Sequence, residues 1–363
     1  MSAVARVPVG LAGAWLVIWV LFSAVRAVVV PRGDPVMLTR AVFMSVRRIF
    51  DLWVNRAKTY EDRDHAMALY APLSLLLLPG TWVALTIAGF TAIYWAIGTE
   101  SVRTAFLLSG SSMLTLGFVV PHDLPTDVAV YIQATLGLGL IALLISYLPS
   151  IYAAFQRREL LVARLATRAG EPPSATAMIV RHHLLQRLDA LDDIWDDWET
   201  WFADIEETHT SQPSLVFFRS ISHDRSWITA AGVVLDTAAL RASVLDLPRN
   251  PQAELCIRSG YLALRRIASY FEISFNPDPA PDDPISIARE EFDQAYQLLV
   301  EEGCPVLPDR DRAWRHFAGW RVNYDAVLIG LAGLAMAPYA PWSSDRSIRP
   351  QSVRLTPRVL RRR

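Results

Sequence analysis

The sequence predicts an all-α membrane protein: three transmembrane helices, a re-entrant segment between the second and third, and a helical cytoplasmic C-terminal domain. Three observations predict it. Of 363 residues, 52% are hydrophobic and 20% charged, and the apolar residues gather into three runs long enough to cross roughly 30 Å of hydrocarbon at about 1.5 Å per residue. Basic residues crowd alternate flanks of those runs. The stretch Ser109-Gly110-Ser111-Ser112-Met113-Leu114-Thr115-Leu116-Gly117-Phe118, between the second and third runs, is too polar to face lipid and too apolar for an ordinary loop. Backbone that leaves helix at membrane depth is tolerated only where protein buries it or where it lines a water-filled path.

The first span covers residues 9–30, with Trp15 and Trp19 inside and Arg26 near its end, from where a guanidinium snorkels to headgroups. A cleaved signal peptide fits poorly, because the run is too long, its basic leader weak and a small-x-small cleavage site missing. Within the connection 31–70, residues 38–54 mix apolar and basic positions at helical spacing. Two readings stand for them: a helix flat on the inner leaflet with its arginines toward anionic headgroups, or a helix packed on the cytoplasmic domain. The second span covers 71–98, with Pro79-Gly80 expected to bend it. The third covers 128–155, with Gly137 and Gly139 near its middle and Pro149 near its far end.

Orientation follows from charge. The connection 31–70 carries Arg32, Arg40, Arg47, Arg48, Arg56, Lys58 and Arg63, whereas 99–127 has Arg103 alone, and Arg157 and Arg158 follow the third span. The positive-inside rule therefore puts 31–70 and everything after 156 in the cytoplasm and the N-terminus outside. Lys58 is the only lysine, a bias expected of a GC-rich genome. No nucleic-acid-binding module accompanies the arginines, so no nucleic-acid partner is expected. Cys256 and Cys304 read as reduced core thiols.

Residues 103–114 have the length of about three helical turns and would point a partially negative C-terminus into the membrane, favouring a cation there. Thr115-Leu116-Gly117-Phe118 would then climb back in extended form. This tetrapeptide resembles the selectivity filter of potassium channels, where Thr-Val-Gly-Tyr or a close variant supplies rings of backbone carbonyls to a dehydrated ion. The resemblance covers residues 71–156. It implies an ion-binding filter of Thr115, Leu116, Gly117 and Phe118, a hinge at Gly137 or Gly139, and a bend at Pro149 near a cytoplasmic gate. Close helix packing is the other reading of the two glycines. Gly117 suits a backbone that alternates between hands, and Phe118 in place of Tyr would pack outward. The family usually follows the aromatic with a second Gly and then Asp or Asn. Here Val119-Val120-Pro121 follow, and valine resists positive φ. An altered outermost site is expected, which makes cation conduction a firmer expectation than potassium selectivity. One chain supplies one loop, so the resemblance implies a homotetramer.

Residues 157–342 read as mostly helix with breaks at 170–173, 248–251, 276–284 and 305–308, and 156–168 should continue the third span. Leu188, Leu191, Trp195, Trp198, Phe202 and Ile205 form a core-facing seam of one helix. Asp189, Asp192, Asp193, Asp196 and Asp197 lie off that seam. Without a glycine-turn loop, carboxylates on a straight helix do not wrap calcium, so a solvated face is expected. His182-His183, His209 and His223 lack metal-ligand spacing, and adjacent Ser222-His223-Asp224 side chains diverge too far for a triad. No Gly-rich phosphate loop is present, so the dinucleotide-binding regulatory domain of many bacterial potassium channels is not recognisable. Neither an enzyme nor a cofactor or resident metal is expected. The apolar run 324–337 is too short to span and reads as a buried helix. The tail 343–363, with seven arginines, is expected to be disordered, either solvated or touching anionic lipid.

The domain expectation is thus a first span (1–30), a cytoplasmic interfacial segment (31–70), a pore domain (71–156), a helical cytoplasmic domain (157–342) and a basic tail (343–363). The expected function is a homotetrameric channel for potassium or other monovalent cations in the lipid bilayer of a bacterial inner membrane. A non-conducting, membrane-anchored helical signalling or scaffold protein is the competing expectation, which Val119 favours. A membrane-bound hydrolase has no motif behind it.

Overall fold

The structure is a computed structural model that describes residues 3–30, 37–57, 59–121 and 123–346. It is 75% helical, with no strand among the described residues beyond one isolated bridge between Leu245 and Val306. The chain divides into two units, Met1–Ala153 and Ala154–Arg363. Of the basic tail expected to be disordered, residues 347–363 lie outside the described residues, as do Arg32 and Lys58.

The first unit holds α1 (Ala3–Val28), α2 (Met37–Val54), α3 (Tyr60–Ala68), α4 (Tyr70–Ile97), α5 (Val102–Met113) and most of α6 (Leu124–Ala169). Three segments are long and apolar enough to cross a membrane: Arg6–Val28, Tyr60–Ile97 and Leu124–Ala169. They cover the three runs expected from the sequence to within a residue or two, the first ending at Val28 rather than 30 and the second at Ile97 rather than 98. Helix α6 passes without a break through 156–168, as the sequence predicts.

Helices α1 and α4 pack antiparallel on small residues. A Cβ placed on Gly13 would sit 2.4 Å from the Gly89 carbonyl oxygen, and one on Gly89 would sit 2.6 Å from a Val17 methyl. Only glycine allows backbones this close, the device small residues serve between helices in lipid. Farther along, Val20 and Ala24 share a buried cluster with Leu78 and Trp82. The opposite face of α1 exposes Leu11, Trp15, Ile18, Phe22, Val25 and Val29, at alternating spacings of four and three that mark one helix stripe.

Helix α5 has 12 residues, about 18 Å, and runs beside both long helices. Ser101 caps it by accepting from Thr104 N at 3.1 Å. Ala105 and Leu108 cluster with Phe90, Tyr94 and Ala129, whereas Met113 clusters with Leu78, Trp82 and Leu140. Numbering therefore falls along α4 and rises along α6 as α5 advances: α5 is antiparallel to α4 and parallel to α6. Residues 114–121 must then run back along it toward the α6 N-terminus, where Asp123 accepts from Thr126 N at 3.0 Å.

In the second unit, after the end of α6, come α7 (Ala175–Leu184), α8 (Trp195–Ser211), α9 (Trp227–Ser243), α10 (Pro251–Tyr270), α11 (Arg289–Glu301), α12 (Arg310–Arg321) and α13 (Asp325–Ala335). Helix α9 is central: nearly every residue from Trp227 to Ser243 is buried, including Asp236 and Arg241. An apolar helix buried all round needs polar partners for its few charges, and it has them. Arg321 grips Asp236 at 2.7 and 2.9 Å and Asp325 at 2.7 Å, and Tyr324 donates to Asp236 at 2.8 Å. The run 324–337 forms α13, with Val327, Leu328, Leu331 and Ala332 buried. Cys256 and Cys304 are buried free thiols.

Two details depart from the sequence reading. The seam 188–205 is not one helix, because Asp189–Ile194 forms a 3₁₀ turn before α8. Asp189, Asp192, Asp193, Asp196 and Asp197 put like charges at i,i+4, which disfavours an α-helix. The tighter turn coincides with an ion pair between Asp192 and Arg241 at 3.1 Å. The rest of the stripe is the solvated face expected, with Asp189, Asp193, Asp196 and Asp197 exposed; from it Asp197 pairs with Arg164 at 3.0 Å and Asp196 accepts from Gln252 at 2.6 Å. Ordered chain also extends past the expected boundary at 342: Ser344–Arg346 form a turn, and Arg346 donates to the Ser286 carbonyl at 3.2 Å and to Glu291.

Candidate functional site

The end of α5 is closed by a full Schellman turn. Thr115 N donates to Ser112 O at 3.2 Å, and Leu116 N donates to Ser111 O at 2.8 Å, the paired bonds that satisfy the last carbonyls of a helix. The residue at the turn must be left-handed, and glycine is the usual occupant. Here it is Thr115, at φ +56°. A β-branched residue in this region is an outlier, costing of order 1–2 kcal/mol. Gly117 is again left-handed at φ +70°, so the backbone alternates in hand from Thr115 to Phe118. Thr115–Phe118 is therefore not the plain extended strand expected from the sequence, because the Schellman bonds curl its first residue back onto α5.

Buried Ser111 holds the following segment. Its hydroxyl oxygen accepts from Phe118 N at 3.1 Å and from Val119 N at 3.4 Å. Thr115, Leu116, Gly117 and Phe118 are all exposed in the single chain, while Val119 packs against the cluster of Phe90, Tyr94 and Leu108. Val119 is not among the positive-φ residues, as expected for valine.

The two glycines of the third span differ. A Cβ on Gly137 would lie 2.5 Å from the Met113 carbonyl oxygen, so Gly137 is where α6 touches the last turn of α5. Gly139 faces open space and lies on the exposed side of α6 with Thr135, Ala142, Ser146 and Pro149. Pro149 removes one N–H from the α6 ladder, within a helix that stays continuous.

Sequence reasoning missed the polar chain one turn before Gly137. The Gln133 amide, fully buried, donates to the Ser109 carbonyl at 3.0 Å and to its hydroxyl at 2.8 Å. Gln133 Oε1 accepts from the Tyr94 hydroxyl at 2.9 Å, and the Ser109 hydroxyl donates to Ile87 O at 2.9 Å. These bonds tie α4, α5 and α6 together at one level. The available signal was a lone amide inside an apolar span, a residue type that is rare there and tends to be functional.

The candidate residues of the second unit do not assemble a reactive centre. His223 Nε2 lies 3.3 Å from Asp224 on the half-exposed surface. His209 is buried and meets Arg158 Nη1 through Nε2 at 3.1 Å. Burial, with the Arg158 guanidinium beside it, holds the His209 pKa well below the usual imidazole value, so the ring is neutral and accepts. Arg158 also donates to the carbonyls of Leu215 at 2.7 Å and Phe218 at 2.8 Å, clamping the turn after α8. His182 bonds back to Met178 O at 2.8 Å. Among the described residues, no three His, Cys, Asp or Glu side chains converge as metal ligands. No protein-family model, curated protein or solved structure matches the chain.

Proposed function

We propose that the first unit is the pore-forming part of a homotetrameric, potassium-channel-like cation channel. In this reading, carbonyl oxygens of Thr115, Leu116, Gly117 and Phe118, with the Thr115 hydroxyl, replace the water of a monovalent cation on the four-fold axis. The observation that carries it is Thr115 itself. A half-length helix, parallel to α6, ends in a left-handed position where glycine is free of strain, and the chain keeps a threonine there. Strain of this kind is retained where the side chain is wanted, and an oxygen-bearing side chain at the carbonyl end of α5 suits a cation.

Further support comes from what the segment exposes. Thr115–Phe118 is uncovered in one chain although it follows a helix packed between α4 and α6, and three further copies would cover it. Ser111 and the Gln133 chain hold the segment and its helix rigid, as a filter requires. Val119 keeps an ordinary φ where the family has a second glycine, so the outermost carbonyl is not turned inward and discrimination against sodium should be weak. Orientation by charge puts the N-terminus outside and the second unit in the cytoplasm. Helix α6, unbroken from Leu124 to Ala169, would carry motion from a gate near Pro149 to that unit.

The test is flux into proteoliposomes containing the purified full chain, with potassium and sodium compared. Conduction that disappears in Gly117→Asp supports the assignment, and unchanged flux in that variant overturns it. A chain that is not tetrameric in detergent and passes neither ion leaves the membrane-anchored scaffold reading.

A further inference from the structure

We infer that α2 is an interfacial helix that inserts Ile49, Leu52 and Trp53 into an anionic leaflet and offers Arg48 and Arg56 to its lipid phosphates. The inference rests on α1, α4 and α6 crossing a bilayer and does not depend on conduction.

The evidence is how α2 is covered. At about 100° per residue, three arcs follow one another around the helix. Arg47, Arg40, Asp51 and Arg48 form the polar arc. Ala41, Leu52, Ser45, Ile49 and Trp53 form a second. Val46, Phe50, Phe43 and Val54 form a third, apolar arc that the protein covers. Phe43 and Phe50 pack on the Tyr70 ring at centroid distances of 6.2 and 5.9 Å, the Tyr70 hydroxyl donates to Phe43 O at 3.3 Å, and Val46, Phe50 and Val54 are buried. Near the start of α2 the second arc is covered as well, Leu38 and Val42 packing with Val20, Ala24, Leu78 and Trp82, but toward its end the arc is bare: Ile49 is 56% exposed, Leu52 60% and Trp53 57%. Over its last two turns the apolar surface of α2 is thus wider than the protein it packs against.

Lipid is the occupant for two reasons. Leu69, Leu73, Leu76 and Leu77, at the start of α4, whose Tyr70 packs on α2, are also exposed, on a helix apolar enough to sit in hydrocarbon. The polar arc is basic, with Arg40, Arg47 and Arg48 against Asp51 alone, and Arg56 follows just past the end of α2, matching anionic headgroups.

The test uses the full chain with a fluorophore on Leu52→Cys or on Asp51→Cys, the latter lying on the polar arc. The native chain controls for labelling of buried Cys256 and Cys304. Each protein is reconstituted into phosphatidylcholine vesicles with or without phosphatidylglycerol, and quenching by a nitroxide carried near the top of the acyl chain is measured. The expected result is quenching at position 52 roughly twofold or more above that at 51, increasing with phosphatidylglycerol. Combined Arg48→Gln and Arg56→Gln, both at exposed positions, should remove the phosphatidylglycerol dependence while leaving flux into the same vesicles in place. Equal quenching at the two positions, or quenching blind to phosphatidylglycerol, overturns the inference. Oxidative cross-linking of Leu52→Cys between copies also overturns it, since a second copy would then cover the arc.

Discussion

Replacing Gln133 by leucine removes the buried amide without changing side-chain volume much, so no cavity term enters. Three hydrogen bonds are lost: one from the Tyr94 hydroxyl and two to Ser109. Hydrogen bonds between helices in lipid average about 0.6 kcal/mol each, which gives a loss of about 2 kcal/mol. The sharper quantity is coupling. Tyr94→Phe alone should lose about 0.6 kcal/mol, but in the Gln133→Leu background its hydroxyl has already lost that acceptor, so the two changes should be non-additive by about 0.5 kcal/mol or more. Equilibrium denaturation from mixed micelles, followed by far-ultraviolet circular dichroism, measures all four corners of the cycle. Strict additivity would refute the bond, and Gln133→Leu as stable as the wild type would refute the network. Because α5 leads into Thr115–Phe118, Gln133→Leu should also lower the potassium-to-sodium flux ratio if those residues form the filter.

Three further outcomes are expected. Gly137→Val places its Cβ against the Met113 carbonyl, 2.5 Å away, and should destabilise the chain by about 1–3 kcal/mol through overpacking; Gly139→Ala, which meets open space, should be nearly neutral in the same denaturation assay. For His209, burial and Arg158 depress the native pKa, so below about pH 6.5 the unfolded chain binds a proton that the folded chain refuses. Stability should then fall on acidification by up to about 1.4 kcal/mol per pH unit, and the difference between wild type and His209→Gln between about pH 5 and 8 isolates that slope; parallel curves would refute it. In the second unit, Arg321→Met leaves Asp236 and Asp325 buried without their cation and should cost about 3–5 kcal/mol, whereas Arg321→Met with Asp236→Leu should recover part of that loss, a comparison thermal unfolding can make.

How much was legible depends on the range over which each signal is averaged. The three long apolar helices could be read because hydropathy sums over some twenty residues, and α5 fell within a residue of its expected limits, where Ser101 caps its start. The partner of α1 could not be read. Gly13 and Gly89 are ordinary letters until their helices lie together, and only then does the 2.4 Å approach explain them. The 3₁₀ turn at Asp189–Ile194 hid behind an apolar seam whose period suits either helix type, and only the repulsion among its aspartates spoke against α. Arg158 read as a membrane-flanking charge and instead became a buried clamp on Leu215 and Phe218.

The candidate site follows a different logic, because it consists of residues that local rules would not choose. Propensity puts glycine at position 115, apolar residues at 133, and a hydroxyl-free side chain at 111, and the chain has Thr, Gln and Ser. A sequence consistent at every level folds without such exceptions, so they gather where something other than folding is being served. The exceptions act on one short stretch: Thr115 sets the first hand of the alternation, Ser111 holds the amides of Phe118 and Val119, and Gln133 anchors the helix that leads into them. Val119 is the counter-example. It obeys its own preference for negative φ, and by doing so ends the alternation one residue early. On the channel reading proposed above, the same rule that favours Thr115 in the filter makes Val119, at the outer end of the segment, the place where it would depart from a potassium filter.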